Sequence, residues 1–167
     1  IDLTTKCLIN EGDTVIVEEP SFIGALNTFR SYGAKLAGVA MDNEGMKPED
    51  LERAIAENPN AKIIYTIPTF QNPMGVTMTL ERRKAVYEIA KKHGLLILED
   101  NPYGELTFDG TKVPTIKSMD TDGVVVYCGS FSKILAPGLR VGFVCGPAKL
   151  LQKLTVAKQG SDVHTPM

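Results

Sequence analysis

Six short runs of apolar, largely β-branched residues, at positions 14–18, 35–41, 61–67, 95–99, 123–129 and 141–145, punctuate the sequence, with helical patterns between them. Most of these runs are continuous rather than alternating, as in Lys62-Ile63-Ile64-Tyr65-Thr66-Ile67 and Leu95-Leu96-Ile97-Leu98. A strand with one wet face alternates apolar and polar residues, whereas a continuous run belongs to a strand covered on both faces, as in a parallel sheet flanked by helices. Strands alternating with helices therefore predict an α/β fold, doubly wound into three αβα layers around a mostly parallel sheet. The last strand is the exception. Only about a dozen residues, including Pro137 and Gly138, separate positions 129 and 141, too few for a right-handed crossover of ordinary length, so it should turn back antiparallel.

The helical patterns carry legible ends. Leu3, Cys7 and Leu8 share a face ahead of Asn10-Glu11-Gly12-Asp13, so the numbering is expected to open inside a helix. Ser21 is placed to cap a helix whose Phe22, Ala25, Leu26 and Phe29 share a face, and Gly33 follows its last turn. Pro48 opens another, with Glu49 and Asp50 in the first turn, and the pattern stops at Asn58-Pro59. Thr79 caps the clearest one: Leu80, Val86, Ile89 and Ala90 form its apolar stripe, Lys91, Lys92 and His93 load the last turn, and Gly94 ends it.

Composition closes several routes. Of 167 residues, 18 are Lys or Arg and 20 are Asp or Glu, a net charge of -2 with no block of like sign, so neither nucleic acid nor an anionic membrane surface is an expected partner. No apolar run approaches the roughly 20 residues that span a bilayer, so no membrane association is expected. Cys7, Cys128 and Cys145 are odd in number and lie in apolar runs, which predicts buried free thiols and a reducing compartment, the cytoplasm. His93 reads as a last-turn cation and His164 as a tail residue. Neither has a His or Cys at ligand spacing, so no metal is expected. Neither a phosphate loop nor a dinucleotide fingerprint is present, and the Gly138/Gly142 spacing carries no meaning outside an apolar 20-mer.

In an open α/β sheet, ligands lie beyond the carboxyl ends of the parallel strands. The residues there are unusually polar: Glu19-Pro20-Ser21-Phe22, then Pro68-Thr69-Phe70-Gln71-Asn72-Pro73-Met74-Gly75, then Asp100-Asn101-Pro102-Tyr103, then Ser130-Phe131-Ser132-Lys133. Taken singly, each has a plain alternative. Asn72-Pro73-Met74-Gly75 suits a type I turn, Asp100 a helix cap, Lys133 the surface, Ser130 and Ser132 the cap of a following turn, and Phe22 the core. Jointly they describe a site.

The combination resembles the fold type I pyridoxal-phosphate enzymes, in particular the class I/II aminotransferases of the 2-aminoadipate/kynurenine group, along essentially the whole chain. Its most specific part is Ser130-Phe131-Ser132-Lys133-Ile134-Leu135-Ala136-Pro137-Gly138-Leu139-Arg140-Val141-Gly142-Phe143, similar to the family's Ser-x-Ser-Lys followed by Gly-Leu-Arg-x-Gly. Asn72-Pro73-Met74-Gly75 and Glu99-Asp100-Asn101-Pro102-Tyr103 occur in family order. The resemblance implies a strand order 2-1-3-4-5-6 for the six runs, with strand 6 antiparallel, and pyridoxal 5'-phosphate as cofactor.

It also implies roles, each consistent with the residue type. Lys133 would form the Schiff base with the cofactor aldehyde and then move the substrate proton, which requires a neutral amine of the kind that burial favours. Asp100 would pair with the pyridine nitrogen and keep it protonated. Asn72 and Tyr103 would donate to the phenolic oxygen. Arg140 would clamp the phosphate with the Ser130 and Ser132 hydroxyls, and Phe22 would stack on the ring. Residues 1–167 would then be a truncated cofactor-binding large domain, lacking an N-terminal arm, a first strand with its phosphate-binding turn, and a C-terminal small domain with the arginine for the substrate carboxylate. Amino acids and 2-oxo acids would be the substrates, and the full-length protein would be a homodimer. An effector-sensing domain of a transcription regulator, or a lyase or decarboxylase on the same scaffold, would carry the same residues.

Overall fold

A computed structural model describes residues 1–162, 164 and 165. The elements run α1 (Asp2–Leu8), β1 (Thr14–Glu19), α2 (Ile23–Ser31), β2 (Lys35–Asp42), β3 (Gly45–Met46), α3 (Pro48–Glu57), β4 (Ala61–Thr66), α4 (Leu80–His93), β5 (Leu96–Asp100), β6 (Val125–Ser130), β7 (Gly142–Cys145) and α5 (Ala148–Gln159). The sheet order is β3-β2-β1-β4-β5-β6-β7. β2, β1, β4, β5 and β6 pair in parallel, and β7 returns antiparallel to β6. Renumbered for the six runs, this is the expected order. β3, a two-residue strand antiparallel to the end of β2, was not expected, because Gly45–Met46 is too short to show a period.

Successive residues of the central strands feed two separate cores. Ile16, Ile64, Ile97 and Val125 face one way and pack with Leu51 and Ile55 of α3 and Val86, Ile89 and Ala90 of α4. Val15, Val17, Ile63, Tyr65, Leu98 and Val126 face the other way and pack with Ala25 and Phe29 of α2, bordered by Leu8 of α1 and Leu150 of α5. β1, β4, β5 and β6 are largely covered on both faces, which is why their runs are continuous.

Several local expectations change. α2 begins at Ile23 with Phe22 as N-cap and no side-chain cap bond; Ser21 Oγ is buried without a hydrogen-bond partner among the described residues. In α1 the fully buried positions are Thr4 and Thr5, while Leu3, Cys7 and Leu8 are half-buried, because the Thr5 hydroxyl is satisfied by Ile1 O at 3.0 Å. Cys128 is buried, Cys7 half-buried and Cys145 exposed, since Cys145 lies on β7, whose four residues all face solvent. The 71–75 segment is not a type I turn. Gly75 N–H donates to Gln71 O, closing a five-residue turn with Gly75 at φ +70°. Thr79, by contrast, accepts from Arg82 N–H at 3.3 Å, and Gly94 adopts the left-handed conformation that ends α4.

Candidate functional site

A cleft of about 540 Å³ opens beyond the carboxyl ends of β1, β4, β5 and β6, and all eight candidate residues line it: Phe22, Asn72, Asp100, Tyr103, Ser130, Ser132, Lys133 and Arg140. Ile67, Cys128 and Gly129 complete its floor. Burial pushes the Cys128 thiol up, so Cys128 is an apolar wall rather than a nucleophile.

Asp100 ends β5, and neighbouring Cys128 stands opposite it on β6. Its Oδ2 accepts the Tyr65 hydroxyl at 2.8 Å; its Oδ1 makes no hydrogen bond among the described residues. Burial raises the proton affinity of Asp100, and the Tyr65 hydrogen bond opposes that rise. Glu99, one residue earlier, points to the opposite face and accepts from Ile116 N–H and Lys117 N–H, each at 2.8 Å, so alternation along β5 gives adjacent carboxylates different work.

Asn72 Nδ2 lies 3.3 Å from the Tyr103 hydroxyl, joining the loops after β4 and β5. Lys133 Nζ stands 6.0 Å from the centre of the Tyr103 ring. Ser130 Oγ accepts Ser132 N–H at 3.1 Å, folding the chain at the end of β6 so that Lys133 follows directly. Arg140 occupies the left-handed region at φ 51° where a short 3-10 turn (Pro137–Leu139) ends, and its guanidinium donates to Pro137 O at 3.2 Å. The return into β7 needs Gly142, because a Cβ there would lie 2.8 Å from Gly129 O. The expected burial of Lys133 is not met. Lys133 is exposed, as is almost all of the chain from there to Val141, because this connection passes beyond the sheet rim, and the edge strand β7 that follows is exposed as well.

Phe22 is half-buried at the cleft wall, its ring lying over Gly24, where a Cβ would come within 2.5 Å of Cζ. The loops that carry Phe22 and Asn72 meet on a fully buried carboxyl that the sequence reading did not single out. Glu18 Oε1 accepts from the Thr66 hydroxyl at 2.5 Å, and Oε2 from Ile67 N–H at 3.2 Å and Gln71 Nε2 at 2.9 Å. Gln71 Nε2 also donates to Pro20 O at 2.9 Å, and Gln71 Oε1 accepts Met74 N–H at 2.9 Å. Tyr65 was missed as well, since both residues sit inside apolar runs where one polar position does not break the strand pattern. A residue at strand-end parity with Asp100 was the only available signal.

The cleft thus offers a carboxylate oxygen at its floor, and a guanidinium, two hydroxyls and an amine on the β6–β7 side. That set suits a flat ligand with a cationic ring nitrogen at one end and an anionic group at the other. The family model described as aminotransferase class I and II matches residues 1–167. The aromatic-amino-acid aminotransferase 1 of Thermococcus litoralis is 44% identical over 169 residues, covering 99% of this chain and 40% of that protein. The crystal structure of the Pyrococcus horikoshii kynurenine aminotransferase, solved with PMP and with KYN and KYA, matches with a TM-score of 0.93 at 43% identity, over 96% of this chain and 41% of that one. An uncharacterized HTH-type transcriptional regulator of Bacillus subtilis is 39% identical over 162 residues, 97% of this chain and 33% of that protein. The chain therefore spans about 40% of the length of the curated aminotransferases that it matches, and it belongs to the class I and II aminotransferase family.

Proposed function

We propose that this chain forms the cofactor-binding part of an enzyme that transfers an amino group between an amino acid and a 2-oxo acid using pyridoxal 5'-phosphate. The observation that carries the reading is the convergence of Asp100, Lys133 and the Ser130, Ser132 and Arg140 donors on one cleft in a chain of this family. The residues present fit the cofactor by the chemistry of their donor set: an unpaired carboxylate oxygen for a ring N–H, donors for a phenolate, and a cation with two hydroxyls for a phosphate.

When bound, the cofactor supplies an aldehyde that condenses with amines and a ring that takes up the electron pair left at the substrate α-carbon. Lys133 is the amine that holds the cofactor between turnovers and carries the proton to and from that carbon. Asp100 keeps a proton on the ring nitrogen, a task for which an anion in a partly desolvated position is suited. Asn72 and Tyr103, whose polar ends lie 3.3 Å apart, donate to the phenolic oxygen. Arg140 grips the phosphate with Ser130 and Ser132, and Phe22 covers one face of the ring. The complete protein would add an N-terminal arm, a first strand and a small domain, act as a homodimer and work in the cytoplasm, in keeping with its three unpaired cysteines. No helix among the described residues is long and apolar enough to cross a membrane.

In the product of the complete gene, Lys133→Ala should abolish both borohydride-trappable cofactor and transamination; retention of either would sink the proposal. The relatives among transcription regulators support a second reading, an effector-sensing domain, and a winged helix encoded upstream in the same gene would favour it. Formation of a 2-oxo acid together with a new amino acid would separate transamination from a lyase or decarboxylase.

A further inference from the structure

Below the cleft, Tyr65, a residue outside the candidate set, donates its hydroxyl to Asp100. Tyr65 is fully buried on β4, its ring packed edge-on against Phe29 of α2 with centroids 5.4 Å apart and planes at 69°. Tyr65 and Asp100 share a sheet face, because Tyr65 pairs with Leu98 and Asp100 lies two residues further along β5. A phenol has one proton to give, and here it is given to a carboxylate.

We propose that Tyr65 is a positioning residue for Asp100: its hydroxyl occupies Oδ2, fixes the carboxylate's rotation, and leaves Oδ1 as the oxygen that meets the cofactor's ring nitrogen. This rests on the reading of the cleft as a pyridoxal-phosphate site and deepens it. The carboxylate has two problems to solve. It must stay anionic although it is largely desolvated, and it must aim one particular oxygen into the cleft. A donor bound to the other oxygen addresses both, since it stabilises the charge and removes a rotational alternative. Burial and the neighbouring charge of Asp100 push the Tyr65 phenol upward, so it stays a donor across the working range. The ring alone would satisfy the core, where it meets Phe29; the hydroxyl serves Asp100.

The test uses the complete gene product and Tyr65→Phe, which keeps the ring and removes the hydroxyl. Tyr65→Phe should leave the thermal midpoint of the apoprotein within a few degrees of wild type. Cofactor affinity should fall roughly ten-fold or more, the scale of a hydrogen bond to a charged group. With ring-¹⁵N-labelled pyridoxal 5'-phosphate, the nitrogen resonance should move toward the unprotonated pyridine position, as the proton passes to the less stabilised carboxylate. In an Asp100→Ala background, Tyr and Phe at position 65 should bind cofactor equally, because the partner is gone. An unchanged ¹⁵N resonance, an affinity loss that persists without Asp100, or a Tyr65→Phe protein that no longer folds would each overturn the assignment. A wild-type protein that takes up no cofactor would overturn the functional reading as well, whereas normal uptake by both Tyr65 versions removes the Tyr65 role alone.

Discussion

Glu18 is 1% exposed and surrounded by three donors, yet no cation among the described residues is hydrogen-bonded to it. Burial outweighs those donors and raises it from 4.5 to about 7, with the charge of Asp100 adding to the rise. A folded-state value above the unfolded one means that folding takes up a proton between those limits. The unfolded chain then holds fewer protons, and stability falls as pH rises through the window. Below about pH 4.5 the carboxyl is neutral in both states and costs nothing; above pH 7 the interval amounts to about 3 kcal/mol. Glu18→Gln cannot titrate and can keep an oxygen facing Ile67 and Gln71. Denaturant melts of the two apoproteins at pH 4.5 and 7.5 should show the variant gaining relative to wild type by up to that amount; parallel pH curves would show that the buried carboxyl does not take up a proton on folding. Neither Glu18 nor Tyr65 was legible in the sequence. In Val15-Ile16-Val17-Glu18 and Ile63-Ile64-Tyr65-Thr66 the polar group reads as one position of a buried strand, and only the packing of β1, β4 and β5 reveals what it touches.

At the level of elements, the first turn of α4 does more than start a helix. Arg83 is 0% exposed, and its guanidinium donates to Met78 O, Pro68 O, Thr69 Oγ1 and Pro114 O at 2.8 to 3.1 Å. It thereby ties the loop after β4, which leads to Asn72, to the loop that follows Tyr103. Burial lowers its proton affinity, and the nearby Glu99 carboxylate opposes that effect. Arg83→Met would fill the space and strand four acceptors, so chemical unfolding of the apoprotein should show a loss of about 3 kcal/mol or more; a loss under about 1 kcal/mol would mean that water replaces the guanidinium. The sequence marked α4 through Thr79, its apolar stripe and Gly94, but nothing in it singled out Arg83, since an arginine in a helix's first turn breaks no pattern. The six runs were legible to within two residues: β1, β4, β5 and β6 are largely covered on both faces and so need apolar residues at most positions, and β2 and β7 are apolar in sequence although less covered. β3 was not, and Ser21 misread as a cap because its hydroxyl turns inward one residue too early.

For the whole molecule, the strand order follows from crossovers that wrap α3 and α4 on one face and α1, α2 and α5 on the other, leaving β1, β4 and β5 in the middle of the sheet. The cleft lies at the carboxyl rim of these strands, so the fold alone brings four distant loops together. That convergence was readable from strand ends, whereas the choice between surface and burial for Lys133, and the exposure of Arg140, were not, since both depend on how far the β6–β7 connection passes beyond the rim. Stability should be graded in the same way. Ile63, Ile64, Ile97 and Leu98 are fully buried and have strands on both sides, whereas every residue of β7 is exposed and β6 is its one neighbour among the described residues. Opening β7 uncovers little apolar surface, and opening β4 or β5 breaks both cores at once. In the 167-residue chain, hydrogen exchange read by mass spectrometry should therefore find peptides from β7 exchanging roughly a thousand-fold faster than those from β4 and β5. Equal protection of β5 and β7 would mean that the sheet opens only as a unit and that the β6–β7 turn carrying Lys133 is as rigid as the centre. Faster exchange at β7 would locate the compliance of the site in the edge strand that anchors the turn presenting its amine and guanidinium, and leave Asp100, on β5, as its fixed point.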